Sequence, residues 1–145
     1  MSKETPDHHD MELTLRLYDM RREAVTRQSR EALNFKFWPK SYDDVKAVSN
    51  DFKHELNAPW RQMTGYWEMV YGFARHGLCN ADFLAENNGE GMFHFAKIQP
   101  FIEQIRKDSS PTAFQNVEWI TKNCEQGRKR FEMITGRVKA MMAKM

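Results

Sequence analysis

The chain has 145 residues and a mass of 17.2 kDa, the size of one ordinary domain, with 41% hydrophobic and 29% charged residues. That balance excludes a disordered chain and a membrane-embedded one, and a net charge of +2 is too small to point to nucleic acid or an acidic lipid surface. Cys79 and Cys124 share no metal spacing. Without a leader or an apolar run of about 18 residues, the expectation is a soluble, cytoplasmic protein.

Residues 1–9 are polar and contain Pro6, which predicts a flexible tail ahead of a single domain over 10–145. A first long helix is predicted from Asp10 to Phe37, with Leu13, Leu17, Met20 and Ala24 on its apolar side. Arg21, Arg22, Glu23, Arg27, Arg30 and Glu31 read as its solvated face. Trp38-Pro39 ends it, because the residue before proline avoids helical geometry. Ser41 is a helix cap, followed by Asp43 and Asp44 in the first turn of a short helix through about Val48.

Asn57-Ala58-Pro59 predicts a new start with Asn57 as cap, and Gly77 a stop after His76. Between them Trp60, Met63, Trp67, Val70 and Ala74 form one face, widened by Tyr66 and Phe73, so this helix belongs at the centre of a bundle. Gly65 and Gly72, seven apart, suggest that another backbone or a ligand comes close to it. Asn80 caps the next helix, the run Asn87-Asn88-Gly89-Glu90-Gly91 breaks it, and Pro100 kinks or restarts the pattern that resumes at Met92.

After Pro111 one apolar or small side chain recurs in heptad steps: Ala113, Val117, Ile120, Cys124, Gly127, Phe131, Ile134, Val138, Met141, Met145. Spacings of four and three put them on one stripe of a single rod about 50 Å long. From Lys122 onward seven Lys/Arg stand against Glu125 and Glu132, the charge expected near a helix C-terminus. No stacking aromatics or binding motif accompany it, so nucleic acid is not expected. No strand alternation is visible. The fold class is all-α: a single-domain helical bundle with long N- and C-terminal helices lying side by side and a central aromatic helix.

Chemistry is sparser. Phosphate loops, nucleophile elbows, paired C-x-x-C and zinc-protease motifs are missing. Glu86, Glu90 and His94 step by four, but a glycine-interrupted set on one helix is a solvated polar face rather than a metal site, and no metal or other cofactor is expected. Glu68 sits amid the most apolar helix and needs a partner, for which Arg61, Arg75 and Arg22 are candidates. Two functional readings follow. The first is a non-enzymatic interaction or assembly module, pairing through the C-terminal heptad helix within the chain or in a homo-oligomer. The alternative is a small-molecule-binding protein or enzyme with an aromatic pocket of Tyr66, Trp67, Glu68 and Tyr71 and polar contacts from Asn87 and Asn88.

Five stretches carry a family resemblance: Leu17-Tyr18-Asp19-Met20-Arg21-Arg22-Glu23, Phe37-Trp38-Pro39-Lys40-Ser41-Tyr42, Tyr66-Trp67-Glu68-Met69-Val70-Tyr71-Gly72-Phe73, Glu86-Asn87-Asn88-Gly89-Glu90-Gly91 and Pro111-Thr112-Ala113-Phe114-Gln115. With them the chain resembles an uncharacterised bacterial family of small soluble helical proteins, a domain of unknown function. The resemblance implies a mainly helical fold and supplies no activity.

Overall fold

The computed structural model describes residues Lys3 to Met145; Met1 and Ser2 of the predicted tail lie outside the described residues. The described residues form nine α-helices and one 3-10 turn, with no strand. The helices are α1 (His8–Arg21), α2 (Ala24–Lys36), α3 (Tyr42–Ser49), α4 (Asn57–Arg75), α5 (Ala81–Asn87), α6 (Glu90–Ile98), α7 (Ile102–Asp108), α8 (Gln115–Asn123) and α9 (Glu125–Ala143), with the 3-10 turn Gln99–Phe101 before α7. The fold is the expected all-α single-domain bundle. Every α-helix contributes to one contiguous hydrophobic core running from Leu17 to Val138.

The central aromatic helix is where the sequence put it. α4 is flanked by α2 and α8 and also touches α3, α5 and α6. Its Trp60, Met63, Trp67, Val70, Tyr71 and Ala74 are buried, and Gly77 closes it with φ 74° while Leu78 N–H bonds back to the Phe73 carbonyl at 2.9 Å. Close approach is met at Gly72, where a Cβ would lie 2.8 Å from Asn116 Nδ2, but Gly65 has nothing within 4 Å. Gly91 at the start of α6 is tighter than either. A Cβ there would lie 2.5 Å from the Tyr71 ring and 2.7 Å from Trp67, so only glycine lets α6 cross α4.

Both predicted terminal rods are broken. The first divides at Arg22-Glu23, where the Glu23 carboxylate turns back to accept from Val25 N–H at 3.1 Å and Thr26 N–H at 2.9 Å and so starts α2. The heptad rod divides at Cys124, which is extended (φ −135°, ψ 151°), and the two segments α8 and α9 pack on each other. The stripe survives the break in sequence because each half buries its own share: Val117, Ile120 and Cys124 before the kink, Gly127, Ile134 and Val138 after it. What remains is α9, about 28 Å long at 1.5 Å per residue. The two ends of the chain are not each other's main neighbours. α2 lies on α4 and α1 on α5, whereas α9 lies on α5, α6 and α8.

Two boundaries also move. α1 begins at His8, inside the stretch read as a tail, because Asp7 and Asp10 form a reciprocal cap and Lys3 pairs with both carboxylates at 2.7 and 3.0 Å. Asn57 is not the cap of α4. It is fully buried and its amide serves the other end of another helix, donating to the Val48 carbonyl at 2.7 Å and accepting from Arg61 Nε at 2.8 Å.

The crossing at Gly91 sets a testable cost. Gly91→Ala should destabilise the fold by about 3 kcal/mol, since both opposing rings are buried and in close contact with that position. Chemical denaturation of the variant measures this; a loss under about 0.5 kcal/mol would contradict the crossing.

Candidate functional site

The residues named from sequence lie where α4 meets α5, α6, α8 and α1. Tyr71 is fully buried and donates its hydroxyl to the Asn88 carbonyl at 2.7 Å; burial pushes its phenol above the ordinary range. Trp67, 2% exposed, stacks on Tyr71 with ring centroids 5.5 Å apart, and Tyr66 meets Trp67 edge-on at 5.0 Å while donating to the Leu17 carbonyl at 2.9 Å. Asn88 is buried. Its amide donates to the Leu84 carbonyl at 3.0 Å, and its oxygen accepts from Arg21, whose guanidinium lies 5.3 Å over the Trp67 ring. Asn87 stands apart: it is exposed and bonds back to the Phe83 carbonyl.

Glu68 has a partner the sequence did not suggest. Its two oxygens accept the backbone N–H groups of Asn116 at 3.0 Å and Val117 at 2.8 Å, the free donors in the first turn of α8. Arg75 serves the same junction indirectly, donating to Asn116 Oδ1 at 2.7 Å, and Arg61 bonds Asn57. Burial lifts the Glu68 carboxyl above its ordinary value against the pull of the two amides. This carboxylate is therefore spoken for, and Phe114, in the left-handed region at φ 61°, turns the chain so that α8 can meet it.

A second polar cluster escaped the sequence reading. The face Glu86, Glu90, His94 is not a solvated one: Glu86 is exposed on α5, but Glu90 and His94 turn inward on α6. Glu90 takes Arg30 Nε on both oxygens at 3.0 and 2.9 Å, and Asn34 Nδ2 at 3.2 Å. Burial alone would raise the Glu90 carboxyl; Arg30 and Asn34 outweigh it and hold it below its usual value. Because the Asn34 amide nitrogen is committed to Glu90, its oxygen faces His94 Nε2 at 2.7 Å, so that nitrogen carries the proton. Burial drops the His94 imidazole to about 4.

One turn further on, Lys97 is 2% exposed. Its ammonium donates to the carbonyls of Leu33, Asn34 and Phe37 at 3.2, 3.1 and 2.8 Å, and lies 3.8 Å from the Trp38 ring centroid and 4.3 Å from that of Phe93. Burial pulls it down to about 7, while the negative end of α2 and two aromatic faces hold its charge. The signal available in sequence was a His and a Lys inside Met92–Ile98, where every residue except Phe93 is buried.

Chemically, Glu68, Glu90 and Lys97 have their partners within the chain. Beside Trp67 and His94 there is a void of about 10 Å³, also lined by Thr64 and Glu68, with room for one water. Trp67 Nε1 and His94 Nδ1, a donor and an acceptor, are buried without a protein partner. No group of three or more His, Cys, Asp or Glu converges among the described residues. Cys79 and Cys124 are free and buried, each pushed up to about 11 by burial, which leaves them as thiols.

A family model described as a domain of unknown function (DUF4760) matches residues 6–124, and the chain belongs to that family. The match runs from α1 to the kink at Cys124; α9 lies beyond it. No curated protein and no solved structure matches the chain.

Two measurements check the site. Glu68→Ala should cost about 2 kcal/mol by stripping the N-terminal turn of α8 of its acceptor, with Glu68→Gln in between; equal stability of all three would contradict the cap. His94 is neutral when folded down to about 4 but near 6.5 when unfolded, so its contribution is complete above 6.5 and is lost as pH falls towards 4. Over that window the wild type should lose about 3 kcal/mol that His94→Gln keeps, read by denaturation at each pH. Parallel pH profiles would contradict a buried neutral imidazole.

Proposed function

We propose that this chain is a non-enzymatic helical interaction module, with its contact surface in the groove between the C-terminal part of α2, the start of α6 and one flank of α9. One observation carries the reading: interior Glu68, Glu90 and Lys97 are matched within the chain, while this groove is left unmatched. Phe35 is 74% exposed, Met133 and Met141 are 44% and 45% exposed, and Arg130 and Arg137 make no ion pair among the described residues. Exposed apolar side chains grouped in one groove mark a place of contact.

A pairing of two copies through the heptad stripe would need Ile134 and Val138, which are already buried inside the chain. The flank left open carries Arg130 and Arg137, and an isologous contact would set that charge against itself. A partner of different composition suits the groove better. A small-molecule site on Tyr66, Trp67, Glu68 and Tyr71, the other reading of the sequence, is less favoured: the void beside Trp67 and Glu68 has room for one water. No described helix is long and apolar enough to cross a membrane, and two buried free thiols suit a reducing cytoplasm.

A photo-crosslinking residue tests the reading in cells producing the chain, placed at Met133 in the groove or at exposed Glu12 on α1. The expected result is a discrete adduct from position 133 that position 12 does not give. No adduct, or the same adducts from both, would overturn it. Phe35→Asp and Met133→Asp should change stability by no more than about 0.5 kcal/mol, because neither side chain is buried.

A further inference from the structure

Resting on the interaction reading above, we propose that the α2–α9 groove takes an amphipathic helix of a partner protein that bears acidic residues two turns apart. Arg130 and Arg137 are seven residues apart on α9, so they stand on one flank about 10 Å apart along its axis. A helix laid along α9 presents residues i and i+7 at the same spacing, and carboxylates there would meet both guanidiniums at once. A small anion could meet only one of them.

The charge is available for a partner. Glu90, the acidic residue lining the groove, is already held by Arg30 and Asn34 and does not neutralise Arg130. Arg130 is itself placed, its guanidinium 3.3 Å from the position a Cβ on Gly89 would take. Between and beside the arginines, Met133 and Met141 face Phe35 across the groove, over a floor that includes Ile134 and Phe93. Methionines make an adaptable apolar surface for a helix stripe at i, i+3, i+4 and i+7. The groove encloses roughly 480 Å³ but lies open along its length, which suits a helix laid on it rather than a ligand swallowed whole.

The test titrates the isotope-labelled full chain with two synthetic 18-residue amphipathic helical peptides of identical leucine stripe. One carries Glu on the flanking positions and the other Lys. The Glu peptide should shift the amide resonances of Phe35, Gly89, Met133 and Met141. Its affinity should fall at least tenfold in Arg130→Glu/Arg137→Glu and less than twofold in the off-groove control Lys53→Glu/Lys107→Glu. A Glu peptide that leaves those resonances unmoved, or binds the double reversal equally well, overturns the proposal. If the Lys peptide occupies the groove instead, the acidic partner is wrong and the interaction reading stands. If neither peptide engages and the crosslinker at position 133 is also silent, both fall.

Discussion

The structure depends on helix ends being satisfied by side chains from other helices. Every helix leaves backbone donors at its start and acceptors at its finish, and with nine α-helices among the described residues these are numerous. Asp10 of α1 accepts the Asn80 N–H just ahead of α5 at 2.9 Å. Glu68 of α4 takes the first turn of α8, and Asp82 of α5 accepts from Gln126 N–H at the start of α9. At the opposite ends, Asn57 of α4 serves the last carbonyls of α3, and Lys97 of α6 those of α2. α5 and α7, with seven residues each, would be marginal alone. α5 is fixed at its start by Asp10, 70 residues away in sequence, and both helices bury side chains in the one core.

This constraint explains why the groups that look chemical are buried. Glu68 and Lys97 sit where a helix end needs them, and Glu90 where Arg30 does. Lys97 joins the α2 C-terminus to α6 and to Trp38 and Phe93; Tyr71 and Arg21 meet on Asn88 between α5 and α6. Removing one member leaves buried donors or acceptors without partners, which is costlier than losing a surface bond. Such junctions specify which helix lies against which.

Much of the fold was legible because its signals are local. Ser41 caps α3, Gly77 ends α4, the Asn87–Gly91 run separates α5 from α6 and Pro100 sits in a 3-10 turn, as the letters implied. The breaks at Glu23 and Cys124 were hidden for different reasons. Glu23 is an uncommon cap in a run of charge that reads as a solvated face, and the start of α9 is fixed by Asp82, 44 residues away. Periodicity registers which side of a helix is buried, and a kink that preserves the buried side leaves no trace in it. The same limit applies to the site. Tyr66, Trp67, Tyr71 and Asn88 do come together, but spacing cannot tell a filled cluster from a pocket, nor show that the partner of Glu68 is a pair of amides.

Amide hydrogen exchange on the native chain tests the helix-end account most directly. The N–H groups of Asn80, Asn116, Val117 and Gln126 begin helices or lie just ahead of one, positions that normally exchange through fraying. Held by carboxylates from other helices, they should exchange only with opening free energies close to that of global unfolding. Exchange at these four as fast as at the exposed first-turn amides of α3 would contradict it.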